Sequence, residues 1–149
     1  MEEKYMNLAI EEAQKAFIKK EIPVGCVIVK DGKVIAKAYN KKESMNSVTR
    51  HSEIIAIEKA SKKLNNWRLN GCDIYITLEP CPMCASAIKQ ARISNIYCGL
   101  SNSDENNGKI IKEILKKDNI NSDVNIYNDL AVEKVKNIMQ SFFEKQRKK

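Results

Sequence analysis

The segment that most constrains the fold lies mid-chain, where short strand-like runs at 73–78 and 94–99 flank a helix-period stretch at 82–91. Two strands joined by a helix cannot form a tight hairpin, and a crossover of this kind returns the chain for parallel pairing. A βαβ unit is therefore expected there. Upstream, β-branched runs at 24–30 and 33–40 are separated by Asp31-Gly32, the two-residue signature of a type I′ turn, so these strands should pair antiparallel. A sheet with both kinds of pairing is mixed, and its apolar faces need helices to cover them.

The remaining periodicity supplies those helices. Met6, Ala9, Ile10, Ala13, Ala16 and Phe17 recur at three- and four-residue steps, the apolar stripe of an opening helix that Ile22-Pro23 closes. A polar loop at 41–50 leads into a helix at 51–64, with Ile54, Ile55, Ala56 and Ile57 expected to be buried. The last third predicts a helix at 109–117, a strand at 124–127 and a terminal helix from Leu130 onward. Five helices and five strands in 149 residues, 43% of them apolar, fit one domain over 1–149 with a full core. No apolar run approaches the ~18 residues of a membrane span, and residues 1–20 are amphipathic rather than signal-like. No membrane association and a cytoplasmic location are the expectation.

Composition narrows the chemistry further. The net charge of +7 suits a polyanionic partner, but 22 of the 26 basic residues are lysine. Lysine, asparagine and isoleucine share A/T-rich codons, so a biased genome explains the basicity equally well. Five cysteines, an odd number, argue against a disulfide framework and turn attention to metal or catalysis. Of these, Cys26, Cys72 and Cys98 are most simply buried small residues.

The other two carry the strongest signal. Pro80-Cys81-Pro82-Met83-Cys84 places both thiols in the first turn of the 82–91 helix, with Pro82 where helix starts favour proline. An i, i+3 pair there supplies the sulfur separation of roughly 3.8 Å that tetrahedral zinc needs, and the helix dipole favours thiolates. The same spacing also suits a redox Cys-x-x-Cys, or two buried free thiols. His51, the only histidine, adds a third donor, and three protein ligands with an open fourth position make a catalytic zinc site.

Glu53 lies two residues beyond His51 and does not share its helix face, so it reaches the same centre only if a metal sits over the helix N-terminus. There an unligated carboxylate can take a proton from water, pass it to a ring nitrogen and protonate a departing amine, the proton traffic of hydrolytic deamination. Without such a centre, Glu53 would be an ordinary first-turn acid complementing the helix dipole.

His51-Ser52-Glu53 with Pro80-Cys81-x-x-Cys84 resembles the zinc-dependent nucleoside and nucleobase deaminase family. Within it, the likeness is to the bacterial tRNA-specific adenosine deaminases and spans nearly the whole chain. It is carried by Glu21-Ile22-Pro23-Val24-Gly25, Asn65-Asn66-Trp67-Arg68-Leu69, Thr77-Leu78-Glu79-Pro80-Cys81-Pro82-Met83-Cys84, Ala91-Arg92-Ile93 and Phe142-Phe143.

The resemblance implies a three-layer α/β/α sandwich around a mixed five-stranded sheet, one Zn²⁺ per chain on His51, Cys81 and Cys84, and Glu53 as proton shuttle. It also implies that Asn40 contacts the nucleoside, that Val24 and Leu78 line the base pocket, and that Ser52 offers backbone groups to the purine. Phe143 would stand near the anticodon loop. The implied substrate is the wobble adenosine of a tRNA anticodon stem-loop, converted to inosine by a homodimeric enzyme.

The second half departs from the family's pattern. After Gly99 only Ser103-Asp104 and Gly108 match a Lys-x-Gly-Ala-x-Gly-Ser pattern, Ile120-Asn121-Ser122 replaces Leu-Asn-His, and Glu144 stands where a basic residue is usual. Lys145, Arg147, Lys148 and Lys149 can restore some of that charge for RNA phosphates. Two other readings stand beside the leading one: a deaminase of a free base such as guanine or cytosine, and a zinc-stabilised binding module that would tolerate loss of Glu53.

Overall fold

The computed structural model describes residues 2–102 and 104–147; Ser103, Lys148 and Lys149, named above for family likeness and charge, lie outside them. The chain runs α1 (Glu3–Ile18), β1 (Gly25–Lys30), β2 (Lys33–Tyr39), α2 (Ser52–Leu64), β3 (Cys72–Leu78), α3 (Pro82–Gln90), β4 (Asn95–Leu100), α4 (Glu105–Leu115), β5 (Asn125–Tyr127) and α5 (Val132–Arg147). The strands form one sheet in the order β2-β1-β3-β4-β5. β1 is antiparallel to both β2 and β3, and β3, β4 and β5 are mutually parallel, so the expected mixed sheet is what forms.

Local chemistry explains the turns. Asp31 and Gly32 both take positive φ, 51° and 75°, as a type I′ turn requires. Gly25 opens β1 because α1 crosses directly on it: a Cβ there would lie 2.3 Å from the Ala9 carbonyl oxygen and 2.4 Å from the Ala13 nitrogen. The glycine lets the helix backbone touch the sheet.

Two cores result, one on each face of the sheet. On one face α1 and α5 bury Met6, Ala9, Val135 and the Tyr75 ring against the strands. On the other, α2, α3 and α4 bury Ile55, Ala60, Ile88 and Ile111 over Ile28, Ile74 and Ile96. This is the three-layer α/β/α arrangement. Cys26, Cys72 and Cys98 are buried and free, as small core residues.

Three expectations are corrected. Ile54 and Ile57 are only half-buried, because α2 turns Ser52, Glu53, Ile55, Ala56 and Ala60 inward and the apolar run 54–57 wraps past that face. Helix α4 begins at Glu105 rather than 109, since the Asp104 side chain accepts from the Asn106 N–H at 2.9 Å and caps an otherwise polar first turn. Val124 is buried but precedes β5, whose three residues pair with β4.

Candidate active site

Strand register brings the site residues to one end of the sheet. Gly25 pairs with Tyr39 and Cys26 with Ile76, so the start of β1 and the ends of β2 and β3 lie together. Leu78 pairs with Leu100, which adds the end of β4. Val24, Asn40, Leu78 and Asn102 therefore surround one opening beyond the carboxyl ends of the parallel strands, where α/β sheets bind ligands.

Two helices begin at that opening. His51 is the N-cap of α2 and Cys81 the N-cap of α3, both in extended backbone, with Pro82 in the first turn of α3. His51 Nδ1 lies 3.7 Å from Cys81 Sγ and 3.5 Å from Cys84 Sγ. All three donor atoms fall within 4.8 Å of one another. Tetrahedral zinc with ligands at about 2.0–2.3 Å separates its donors by roughly 3.3–3.8 Å, so the cluster fits the ion.

The electrostatics agree with that fit. A hydrogen bond from the Cys84 thiol pulls the Cys81 thiol down to about 4 against the effect of burial, with His51 adding to the pull. Sharing that proton, together with burial, pushes Cys84 well up. The hydrogen bond with Cys81 raises His51. A thiolate, a trapped thiol proton and an imidazole sharing one space form a donor set that a divalent cation would complete by displacing the proton.

Glu53 approaches this cluster from the N-terminal turn of α2. It is 3% exposed, and burial raises its carboxyl above the usual range although Ser52 Oγ donates to Oε1 at 2.6 Å. A buried carboxyl with raised proton affinity beside a cluster that could hold a metal is suited to hold and pass a proton. Asn40 is fixed by its own N–H, which donates to the Val24 carbonyl at 3.1 Å, and by Oδ1, which accepts the Ser52 N–H at 2.8 Å. The Ser52 N–H is thus already engaged within the protein, and Ser52 is buried behind the cavity rather than lining it.

The cavity above has a volume of about 490 Å³, inside the range of small-molecule sites. Val24, Asn40, His51, Glu53, Leu78 and Cys81 line it, with Cys84 buried beneath. Phe143 does not line it and is 44% exposed; its neighbour Phe142, 6% exposed, forms part of the wall. Wall residues outside the family-like segments are Lys20, Lys42, Glu43, Asn102 and Gln146, while Glu21 and Glu79 lie within those segments but carried no assigned role. Glu79 is buried and accepts the Asn102 N–H at 2.9 Å, tying the segment after β4 to the site. For Glu21 and Glu79 the available signal was an acid one or two residues before a proline within a family-like segment, Glu21-Ile22-Pro23 and Glu79-Pro80.

The family described as MafB19-like deaminase matches residues 1–147. The chain belongs to that deaminase family. This deaminase is 39% identical over 145 residues to the tRNA-specific adenosine deaminase of Streptococcus pyogenes serotype M18 (strain MGAS8232), covering 97% of this chain and 91% of the relative. Its structure matches one solved in a study of A-to-I editing by tRNA:A34 deaminases at the wobble position of transfer RNA. The TM-score is 0.83 at 36% identity, over 92% of this chain and 99% of the other. The guanine deaminase of Bacillus subtilis is also similar, with TM-score 0.68 and 30% identity over 100% of this chain and 95% of that one. The deaminase resemblance read from the motifs therefore holds, and the α/β/α fold holds with it.

Proposed function

We propose that this deaminase converts the wobble adenosine of tRNA anticodon loops to inosine by hydrolysis. The observation that carries the chemistry is the convergence of His51, Cys81 and Cys84 with the buried Glu53 carboxyl on the floor of one cavity. Likeness to the tRNA deaminases, closer in both identity and TM-score than to the guanine deaminase, favours the RNA substrate.

In this reading His51, Cys81 and Cys84 hold one Zn²⁺. When bound, the ion supplies the Lewis acidity that brings water towards ionisation near neutral pH. Glu53 takes the proton as the water oxygen bonds to C6 of the purine, and delivers it to N1 of the ring. Glu53 then takes the remaining proton from the oxygen now bonded to C6 and gives it to the exocyclic nitrogen; the C6–N bond breaks, the C6 carbonyl forms and ammonia leaves. Asn40, Val24 and Leu78 hold the nucleoside, Ser52 keeps Asn40 and Glu53 in place, and Phe143 stands at the outer rim where the RNA loop passes.

An anticodon loop suits the site because an unpaired base is splayed out at low unstacking cost. We place the enzyme in the cytoplasm, as a homodimer, on the strength of the family likeness. Among the described residues no helix is long and apolar enough to cross a membrane. Incubating the zinc-loaded protein with a synthetic anticodon stem-loop, free guanine and free cytosine tests the reading. Inosine in the stem-loop supports it, whereas guanine or cytosine turnover with no inosine replaces it by the free-base alternative.

A further inference from the structure

The loop at 41–50 forms one wall of the cavity through Lys42 and Glu43, yet none of its residues is buried. Met45 and Val48 are exposed, and the loop's own turns are local: the Met45 N–H donates to the Lys41 carbonyl, the Ser47 N–H to Lys42 and the Lys41 N–H to Arg50. A segment with no apolar anchor should be free to move over the site. Among the described residues, the hydrogen bonds that reach from 42–49 to a distant part of the chain are those to Glu21. Its Oε1 accepts the Glu43 N–H at 3.0 Å and its Oε2 accepts the Ser44 N–H at 2.6 Å.

Glu21 itself is held rigidly. Helix α1 ends in a Schellman motif: the Glu21 N–H donates to the Ala16 carbonyl, the Lys20 N–H to Phe17, and Lys20 takes the left-handed conformation with φ 63°. The residue after the left-handed position usually packs an apolar side chain on the helix. Here it is a glutamate that is 1% exposed, with both oxygens directed at the loop.

We infer that Glu21 is a positioning residue for the deamination, a carboxylate that fastens the 41–50 loop so that Lys42 stands in the cavity wall to meet the RNA backbone. Burial pushes its carboxyl up, but the Glu43 and Ser44 donors outweigh that and hold it below the usual range, so it is anionic and accepts both bonds at neutral pH. The loop also carries Lys41 and Arg50, but Lys41 lies over the Tyr39 ring and Arg50 pairs with Glu58. Lys42 is the loop's cation in the cavity wall.

The inference rests on the RNA reading above, and E21Q tests it. Glutamine offers an acceptor to only one of the two N–H groups and turns a donor towards the other. E21Q should bind a full equivalent of zinc and raise KM for the stem-loop by about tenfold or more, with a smaller change in kcat. Amide hydrogen exchange should accelerate within 41–50 and not in the sheet. K42A should raise KM alone, and the double variant should be little worse than E21Q, because both changes act through one contact. Additive effects, or an E21Q KM within twofold of wild type, overturn the inference. If the wild type makes no inosine, the RNA reading falls. Exchange then still decides whether Glu21 holds the wall, and unchanged protection in E21Q overturns that as well.

Discussion

The floor and the rim of the cavity are built differently. The floor sits on the first turns of α2 and α3, where helix geometry fixes His51, Glu53, Cys81 and Cys84 against a packed core. The rim combines the α5 side chains Phe142 and Gln146 with two loop segments, each held to the body by a buried carboxylate: Glu21 for residues 43–44 and Glu79 for Asn102. Catalytic geometry needs sub-ångström placement, which rigid elements provide, whereas a surface that meets a splayed RNA loop gains from segments that can be rebuilt independently. Most departures from the family's pattern fall in the second half of the chain; Arg50 and Ser52, beside His51, are variants in the first half, and His51, Glu53, Cys81 and Cys84 themselves keep the pattern.

The sharpest way to break this division is to remove a ligand from the floor. Cys84→Ala should lose zinc and reduce activity to background, because two protein donors do not hold the ion against the surrounding water. It should also lower stability, since zinc bound only to the folded state contributes free energy through linkage. Elemental analysis and thermal unfolding with and without chelator check both. A full equivalent of zinc in the variant would show that the ligand set is wrong.

Next in size is Glu53→Gln. The carboxylate is not among the proposed ligands, so zinc content should stay at one per chain while kcat falls at least about 10²-fold with the loss of the proposed proton shuttle. The amide also removes a buried ionisable group, so the variant should fold at least as well as wild type. Activity within tenfold of wild type with zinc retained would sink the role of Glu53 and favour a binding module.

Floor and rim also differ in how far sequence reveals them. His51, Glu53, Cys81 and Cys84 are legible because metal and proton chemistry admit few residue types, at spacings that a helix start enforces. The element order was equally legible, since period-two and helical runs alternate and Asp31-Gly32 marks its own turn. What stayed hidden depends on tertiary contacts. Glu21 stands in a family-like segment, but its neighbours in sequence do not say that it is buried and bonded until the fold brings Glu43 and Ser44 to it. Phe142 and Phe143 are neighbours in sequence, and only the docking angle of α5 turns Phe142 inward. Asn121, within the divergent Ile120-Asn121-Ser122, proves to be buried and bonded to the Arg92 guanidinium, a structural use that its motif position does not reveal.

The rim's anchor should have a pH signature. The folded-state value of Glu21 lies below the carboxylate's ordinary value, so the stability it contributes is present above the unfolded value and is lost as pH falls through the folded one. E21Q should therefore be less stable than wild type by about 1–3 kcal/mol at neutral pH. The gap should narrow as pH drops through and below the usual carboxylate range. Urea unfolding of both proteins across pH 3–7, on the order of the range where carboxylates titrate, measures it. A gap that widens on acidification would mean that Glu21 is not held as an anion.

The smallest effect should come from the outer rim, where α5 runs past Phe143 into a basic end. Exchanging Lys145, Arg147, Lys148 and Lys149 for glutamine removes charge while keeping Gln146, which lines the cavity. RNA binding through phosphates releases counterions, so the logarithm of affinity falls with the logarithm of salt by about 0.7–0.9 per contact. Lys145 already lies 4.9 Å from the Phe17 ring centroid, where packing competes with phosphate for its ammonium. The slope should therefore fall by less than four full contacts would give, and KM for the stem-loop should rise only a few-fold at physiological salt. Zinc content and kcat at saturating stem-loop should hold, because neither Lys145 nor Arg147 lines the cavity. An unchanged slope would place the RNA path away from α5 and leave the 41–50 wall as its main electrostatic guide. A loss of kcat without a change in slope would mean that rim and floor are mechanically coupled, and the division between them would fail.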